Sequence, residues 1–270
     1  MNERICITKT AATIEKLLGI EVHKDADRPI DEVVCTASEK FENKGCDRVF
    51  MYNPDAIGQW IYEKYREDFK KLDERADLRL DMLSVMPSVT PVCFGSMYSG
   101  MYPEKHGIQS YVKPVMKVET VFDSLPKEGK KAAIVSTEGD SISLIFLERN
   151  VDYFIYKTVK ECNKKARELI CEDEYDLIVL YNTNYDYWLH RNGPTGLLSV
   201  HALKENIRTY CQLYDIIKKK WKKHNTVLVF APDHGCHRFF GVLGNHGKDI
   251  PEDMNIHHFY SFICANMKDR

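Results

Sequence analysis

The chain has 270 residues, 44% hydrophobic and 29% charged, enough for one large α/β domain or two small ones. Its formal net charge of −2 at pH 7 gives no electrostatic basis for binding a nucleic-acid polymer or an anionic membrane. No apolar run approaches the roughly 18 residues of a spanning helix, and Met1-Asn2-Glu3-Arg4-Ile5-Cys6 lacks the basic-then-apolar form of a secretory signal.

Residues 1–46 suggest one or two helices, over 11–18 and 29–42. They read as an N-terminal helical extension packed on a core domain of residues 47–270. From there hydrophobic periodicity predicts strands alternating with helices. A strand is expected over 48–52, an amphipathic helix over 57–72, a strand over 80–85 and a helix over 91–99. A short helix over 120–125 precedes a strand over 131–135. Residues 142–147 fit a helix or a strand, and 151–156 a strand. A helix over 159–171 leads to a buried strand over 176–181. A long helix over 201–222 and strands over 226–230 and 259–265 complete the chain. The run Lys218, Lys219, Lys220, Lys222 and Lys223 ends the long helix, where lysines suit the macrodipole. The nine cysteines are odd in number, scattered and without a CxxC pair, which fits reduced thiols in a cytoplasmic protein. Alternating strands and helices predict a three-layer α/β/α sandwich around a mostly parallel sheet. Ligands in such sheets bind beyond the carboxyl ends of the strands.

Ligand-type side chains gather at those predicted ends. Pro232-Asp233-His234-Gly235 follows the strand over 226–230, and Gly244-Asn245-His246-Gly247 follows within one loop. A carboxylate beside an imidazole suits a divalent metal, although a turn Asp, a structural His and a loop His explain the same residues singly. Asp55 ends the first core strand, where a turn former or helix N-cap is the plain alternative. Thr90 stands before Pro91, which suits a first helical position, so Thr90 reads as an N-cap. The same place aims its hydroxyl toward free helical N–H groups that favour a phosphate. Asp186 and His190 are four apart, on one face of a helical turn, though His190 could be a surface residue. Together these hard oxygens and imidazoles suit two zinc-like ions. Of the rest, Cys93, Cys236 and the pair His257-His258 read as packing groups. Tyr181, Tyr185, Tyr187 and Trp188 form an aromatic cluster that suits either a core or a stacking surface for a base or sugar.

The segment Pro87-Ser88-Val89-Thr90-Pro91-Val92-Cys93-Phe94-Gly95-Ser96-Met97-Tyr98-Ser99-Gly100, continued to Pro103-Glu104-Lys105-His106-Gly107-Ile108, resembles the nucleophile helix and following turn of the alkaline phosphatase superfamily. Within it, the likeness is to the type I phosphodiesterase/nucleotide pyrophosphatase group. Asp186 and His190, Asp233-His234-Gly235 and Asn245-His246-Gly247 follow in that group's order, and the likeness spans roughly residues 47–265. It implies an alkaline phosphatase-like fold and a metal-dependent hydrolase of phosphodiester or nucleotide pyrophosphate bonds. Asp55, Thr90, Asp233 and His234 would hold one divalent ion. Asp186, His190 and His246 would hold the other, with zinc expected and manganese or iron as alternatives. Thr90 would be the nucleophile, His106 a structural residue of the turn, and the partner a small-molecule phosphate ester. Tyr111 stands where the group places a phosphate-binding Asn, so Lys113, two residues on, is the candidate source of positive charge. Tyr111 and Tyr187 are the candidate substrate contacts. The loop between His234 and His246 is too short for a specificity insertion. That leaves residues 1–46 or 136–158 as candidate cover for the site. Cys93 lacks the Cys-x-Pro-x-Arg setting of sulfatases. A phosphomonoesterase or phosphonate hydrolase, and a non-catalytic metal- or phosphate-binding relative, are the competing readings.

Overall fold

A computed structural model describes residues 4–266. Met1 to Glu3, part of the stretch read for a secretory signal, lie outside the described residues. In chain order the elements are β1 (Ile5–Cys6), α1 (Lys9–Leu17), α2 (Asp31–Lys40), β2 (Arg48–Pro54), α3 (Gln59–Lys64), α4 (Arg66–Asp73), β3 (Leu78–Leu83), α5 (Thr90–Ser99), α6 (Pro103–His106), α7 (Val121–Lys127) and β4 (Ala132–Thr137). There follow α8 (Ser141–Ile145), β5 (Asp152–Tyr156), α9 (Val159–Glu172), β6 (Leu177–Asn182), α10 (Asn184–Asn192), α11 (Leu197–Lys220), β7 (Thr226–Phe230), β8 (His237–Phe239), β9 (Leu243–Asn245), α12 (Pro251–Met254) and β10 (Asn255–Ile263).

Eight strands form one sheet in the order β1-β3-β10-β7-β2-β6-β4-β5. Strand β10 runs antiparallel to β3 and β7, and the other pairings are parallel. Alternation along each central strand feeds two apolar layers. Val49, Met51, Val179 and Val229 face one side, packed with α1, α2, α5 and α7 residues such as Ile14, Val33, Phe94 and Phe122. Phe50, Tyr52, Leu180 and Phe230 face the other, against Ile61, Phe69, Leu169 and Leu203 of α3, α4, α9 and α11. Both faces are covered, which is why the central strands read as unbroken apolar runs. The architecture is the three-layer sandwich that the alternation of elements predicts.

Several details differ from the sequence reading. The helix expected over 57–72 breaks at Tyr65 (φ −112°, ψ 30°), whose carbonyl accepts from Asp68 and so starts α4 afresh. Helix α11 begins one turn earlier than expected, and its extra turn carries the exposed Leu197 and Leu198. Strand β10 begins at Asn255, because polar Asn255, His257 and His258 sit inside a fully buried strand. The N-terminal segment adds β1 to the sheet edge, and Ile7, Ile14 and Leu17 join the same core as the central strands. Within this segment, Ala26 and Asp27 pack on Gly100, past the far end of α5 from Thr90. All nine cysteines are unpaired. Among the described residues no helix is long and apolar enough to cross a membrane.

Candidate active site

Parallel β2, β6 and β7 end side by side, so the residues just past them must meet. Asp55 follows β2 directly, Asp186 and His190 sit on α10 after β6, and Asp233-His234 follow β7. Thr90 opens α5. The helix is capped by Val89 rather than by Thr90, so the Thr90 hydroxyl is not spent on its own backbone. Asp55 is likewise not a cap; that position in α3 belongs to Gly58.

Two triads result. Ligand atoms of Asp55, Asp233 and His234 lie within 4.8 Å of one another, as do those of Asp186, His190 and His246. Thr90 Oγ1 stands 3.3 Å from His234 Nε2 and donates to Asp55 Oδ2 across 3.5 Å. The two triads adjoin: the His234 and His246 rings stack with centroids 4.2 Å apart.

The histidine tautomers are set by backbone oxygens. His234 Nδ1 faces the Gly235 carbonyl at 2.9 Å, His190 Nδ1 the Gly244 carbonyl at 3.1 Å and His246 Nδ1 the Ser88 carbonyl at 3.1 Å. A carbonyl only accepts, so each Nδ1 carries a proton, and once the ring is neutral its Nε2 presents a lone pair. Those lone pairs converge on carboxylates. His190 and His246 Nε2 lie 3.2 and 3.3 Å from Asp186 Oδ1, and His234 Nε2 lies 3.5 Å from Asp55 Oδ1 and 3.4 Å from Asp233 Oδ2. These same three oxygens, Asp55 Oδ1, Asp186 Oδ1 and Asp233 Oδ2, are buried without a hydrogen-bond partner. Leaving such oxygens unpaired costs several kcal/mol apiece unless a cation sits among them. Acceptor-only groups facing acceptor-only groups, with each imidazole fixed from behind by a carbonyl, are the donor set of divalent-metal sites. The residues therefore fit the ions that the resemblance implies.

The electrostatics agree. Burial, then the charges of Asp233 and Asp186, hold the Asp55 carboxyl well above its usual range. Burial pushes Asp233 up to about 7. Burial, then the neighbouring His246, lowers His234 to about 3. In the second triad burial would raise Asp186 and lower His246, but the contacts of Asp186 with His190 and His246 win: the carboxyl is lowered and His246 is raised.

The remaining candidates divide. The Tyr181 hydroxyl donates to Asp55 Oδ2, and Tyr185 donates to the Pro194 carbonyl at 3.0 Å. Both rings are buried, so the aromatic cluster is largely core. Tyr187 is 47% exposed, and the Arg191 guanidinium lies 3.7 Å over its ring. Tyr111 is 61% exposed as a whole residue, yet its hydroxyl is partly desolvated and is raised by that and then by the Asp55 and Asp186 charges. Lys113 donates to the Gly139 carbonyl at 2.8 Å and lies 5.3 Å over the Tyr111 ring. Asp140, unread in the sequence, is its acidic neighbour; burial raises that carboxyl to about 6, against the pull of its Thr137 hydrogen bonds and Lys113. The 136–140 turn thus lies at the rim. His106 is structural: its Nε2 meets Ser96 Oγ at 3.0 Å, and Ile108 N donates to its Nδ1. A Cβ on Gly95 would stand 2.7 Å from that ring, so mid-helix Gly95 makes room for it. Cys93 and Cys236 are buried. His258 Nε2 faces the Pro232 carbonyl at 2.9 Å, and His257 lies 3.0 Å from Asp81. A cavity of about 650 Å³ lined by Arg4, Lys9, Arg28 and Tyr102 contains none of the ligand residues.

The fold is alkaline phosphatase-like, of the nucleotide pyrophosphatase/phosphodiesterase type. Human ectonucleotide pyrophosphatase/phosphodiesterase 5 matches with a TM-score of 0.60 at 13% identity, over 80% of this chain and 88% of its own. The murine protein, as an inactive variant in complex with AMP, matches with a TM-score of 0.58 at 14% identity, over 71% of this chain and 58% of its own. The chain thus spans 58% of that murine structure's length. No family model matches the chain, and no curated protein matches it in sequence.

Proposed function

We propose that this chain hydrolyses phosphate esters of the diester or pyrophosphate type, through Thr90 and two divalent ions. The observation that carries the reading is the Thr90 hydroxyl at the mouth of two adjoining triads whose three buried carboxylate oxygens lack partners. Asp55, Asp233 and His234, with Thr90, would hold one ion, and Asp186, His190 and His246 the other. Zinc suits this oxygen-and-imidazole set, as do manganese and iron. When bound, the ions supply the positive charge that a transferring phosphoryl group needs. Thr90 Oγ gives its proton to solvent and forms a bond to phosphorus as the phosphorus–oxygen bond to the leaving group breaks; the leaving oxygen keeps the electron pair and takes a proton from solvent. Water then attacks the same phosphorus, the Thr90–phosphorus bond breaks, one water proton restores the Thr90 hydroxyl and the other leaves to solvent. Tyr111 and Tyr187, both exposed, would contact the organic part of the ester, a nucleotide being the class suggested by the AMP complex of the murine neighbour.

Charge at the rim favours a diester. Lys113, tethered to Gly139 and partly offset by Asp140, offers one positive charge, which suits the single negative charge of a diester better than the two of a monoester. An aryl phosphodiester assayed with zinc or manganese should be turned over with kcat/KM at least about tenfold above the matching monoester. Lys113→Ala should lower the diester kcat/KM about tenfold, the effect of one lost charge-assisted contact. Unchanged turnover would remove Lys113 from the site. Hydrolysis of no ester by metal-loaded protein would leave a binding protein.

Metal loading should depend on pH. Asp233 titrates near 7, and His246 is raised above its ordinary value by Asp186. A divalent ion must displace these protons. Apparent zinc affinity should therefore rise from pH 6 to pH 8, by up to about tenfold per pH unit for each proton released. Calorimetry in buffers of different ionisation enthalpy reads the proton release directly.

A further inference from the structure

We infer that Asp253, outside both triads, is a positioning residue that sets the second metal triad against the first; this rests on the two-ion reading above. Asp253 is fully buried on α12. Its backbone carbonyl accepts from Gly235 N at 2.7 Å, one residue past His234. Its carboxylate accepts from Lys248 N at 2.9 Å, two residues past His246. The same carboxylate faces His237 Nδ1 at 2.8 and 2.9 Å, and His237 pairs across the hairpin with Asn245, the neighbour of His246. One residue therefore holds the backbone beside the His234 ligand and, by its side chain, both flanks of the His246 ligand.

The geometry around it leaves no slack. A Cβ on Gly235 would lie 2.1 Å from the Glu252 carbonyl oxygen, so a glycine after His234 is what lets the two backbones meet. On the opposite side Ser88 grips the same segment. Its carbonyl faces His246 Nδ1 and its hydroxyl donates to the Lys248 carbonyl at 3.3 Å. His246 is thus held between the loop that leads to Thr90 and Asp253. Outer partners that orient metal ligands typically change affinity 10–100-fold when removed.

The anchoring is asymmetric, and the asymmetry makes the inference testable. A side-chain substitution at Asp253 keeps the carbonyl bond to Gly235 and deletes the bonds to Lys248 and His237. Asp253→Ala should weaken the zinc equivalent that His246→Ala abolishes by about 10–100-fold. The other equivalent should stay within about threefold. Asp253→Asn keeps an acceptor for Lys248 N and should restore most of the loss. The full-length chain, stripped and titrated with zinc against a chromogenic chelator, gives both affinities, and the visible spectrum with cobalt reports the geometry of each site. If Asp253→Ala does not fold, His237→Phe serves. It removes one donor at similar volume and should weaken the same equivalent roughly 3–10-fold. Equal weakening of both equivalents, with no rescue by Asn, would reduce Asp253 to a general packing role and overturn the inference. So would unchanged affinities in the folded variants. A wild-type chain that binds no zinc would overturn this inference and the two-ion reading together.

Discussion

Thr90→Ala is expected to abolish phosphodiester turnover, by on the order of 10³-fold or more, while zinc stoichiometry stays near two. The hydroxyl is the only group the change removes from the site, and it is not a helix cap. The ligand oxygens and nitrogens of Asp55, Asp233 and His234 keep their own anchors: Tyr181 on Asp55, Ala56 N on Asp233 and the Gly235 carbonyl on His234. Loss of activity with metals retained shows that the Thr90 hydroxyl is needed for attack and that the other three side chains suffice to hold the first ion. Mass spectrometry of acid-quenched wild-type enzyme should show the added phosphoryl group on the peptide that carries Thr90, and none in the variant. Appreciable activity in Thr90→Ala would mean that water attacks directly.

Asp233→Asn should act in opposite directions on stability and function. Asp233 is fully buried beside Asp55, and burial raises its carboxyl to about 7. A group whose folded pKa is raised loses stability as pH rises from its unfolded value through its folded one. At pH 8 the metal-free chain therefore carries an unfavourable ionised carboxylate that an amide would not. The variant, stripped of metal, should melt at least about 2–4 °C higher at pH 8, the shift worth roughly 1 kcal/mol in a domain of this size. Turnover should fall by on the order of 10³-fold or more, because the first ion loses an anionic ligand. A variant that is both less stable and still active would show that Asp233 has a packing role and no part in metal binding. Stability given up at a site is what a functional carboxylate looks like.

How much of this was legible in the sequence follows from periodicity. Residues 226–230 and 176–181 read plainly as strands because both faces of β7 and β6 are buried, and the ligand-type residues just beyond them read as a cluster because parallel strands end together. Strand β10 read short because His257 and His258 interrupt its apolar run, each with a private partner, Asp81 or the Pro232 carbonyl. The hairpin of β8 and β9 was missed. It is a local pair outside the main sheet, with Phe240 and Val242 exposed, so it lacks a buried period. Tyr181 and Tyr185 read as core first and stacking surface second; only the fold shows their hydroxyls turned inward. The carbonyls of Ser88, Gly235 and Gly244 that fix the three imidazoles are backbone atoms, and no residue type announces them. Asp253 looks like an ordinary acidic residue in a helix first turn until α12 is seen against Gly235.

Two ions in two adjoining triads beside Thr90 should appear in anomalous diffraction from zinc-loaded crystals as two peaks, one bounded by Asp55, Thr90, Asp233 and His234, the other by Asp186, His190 and His246. A single peak, or none at these side chains in protein shown to be loaded, would contradict the two-ion reading.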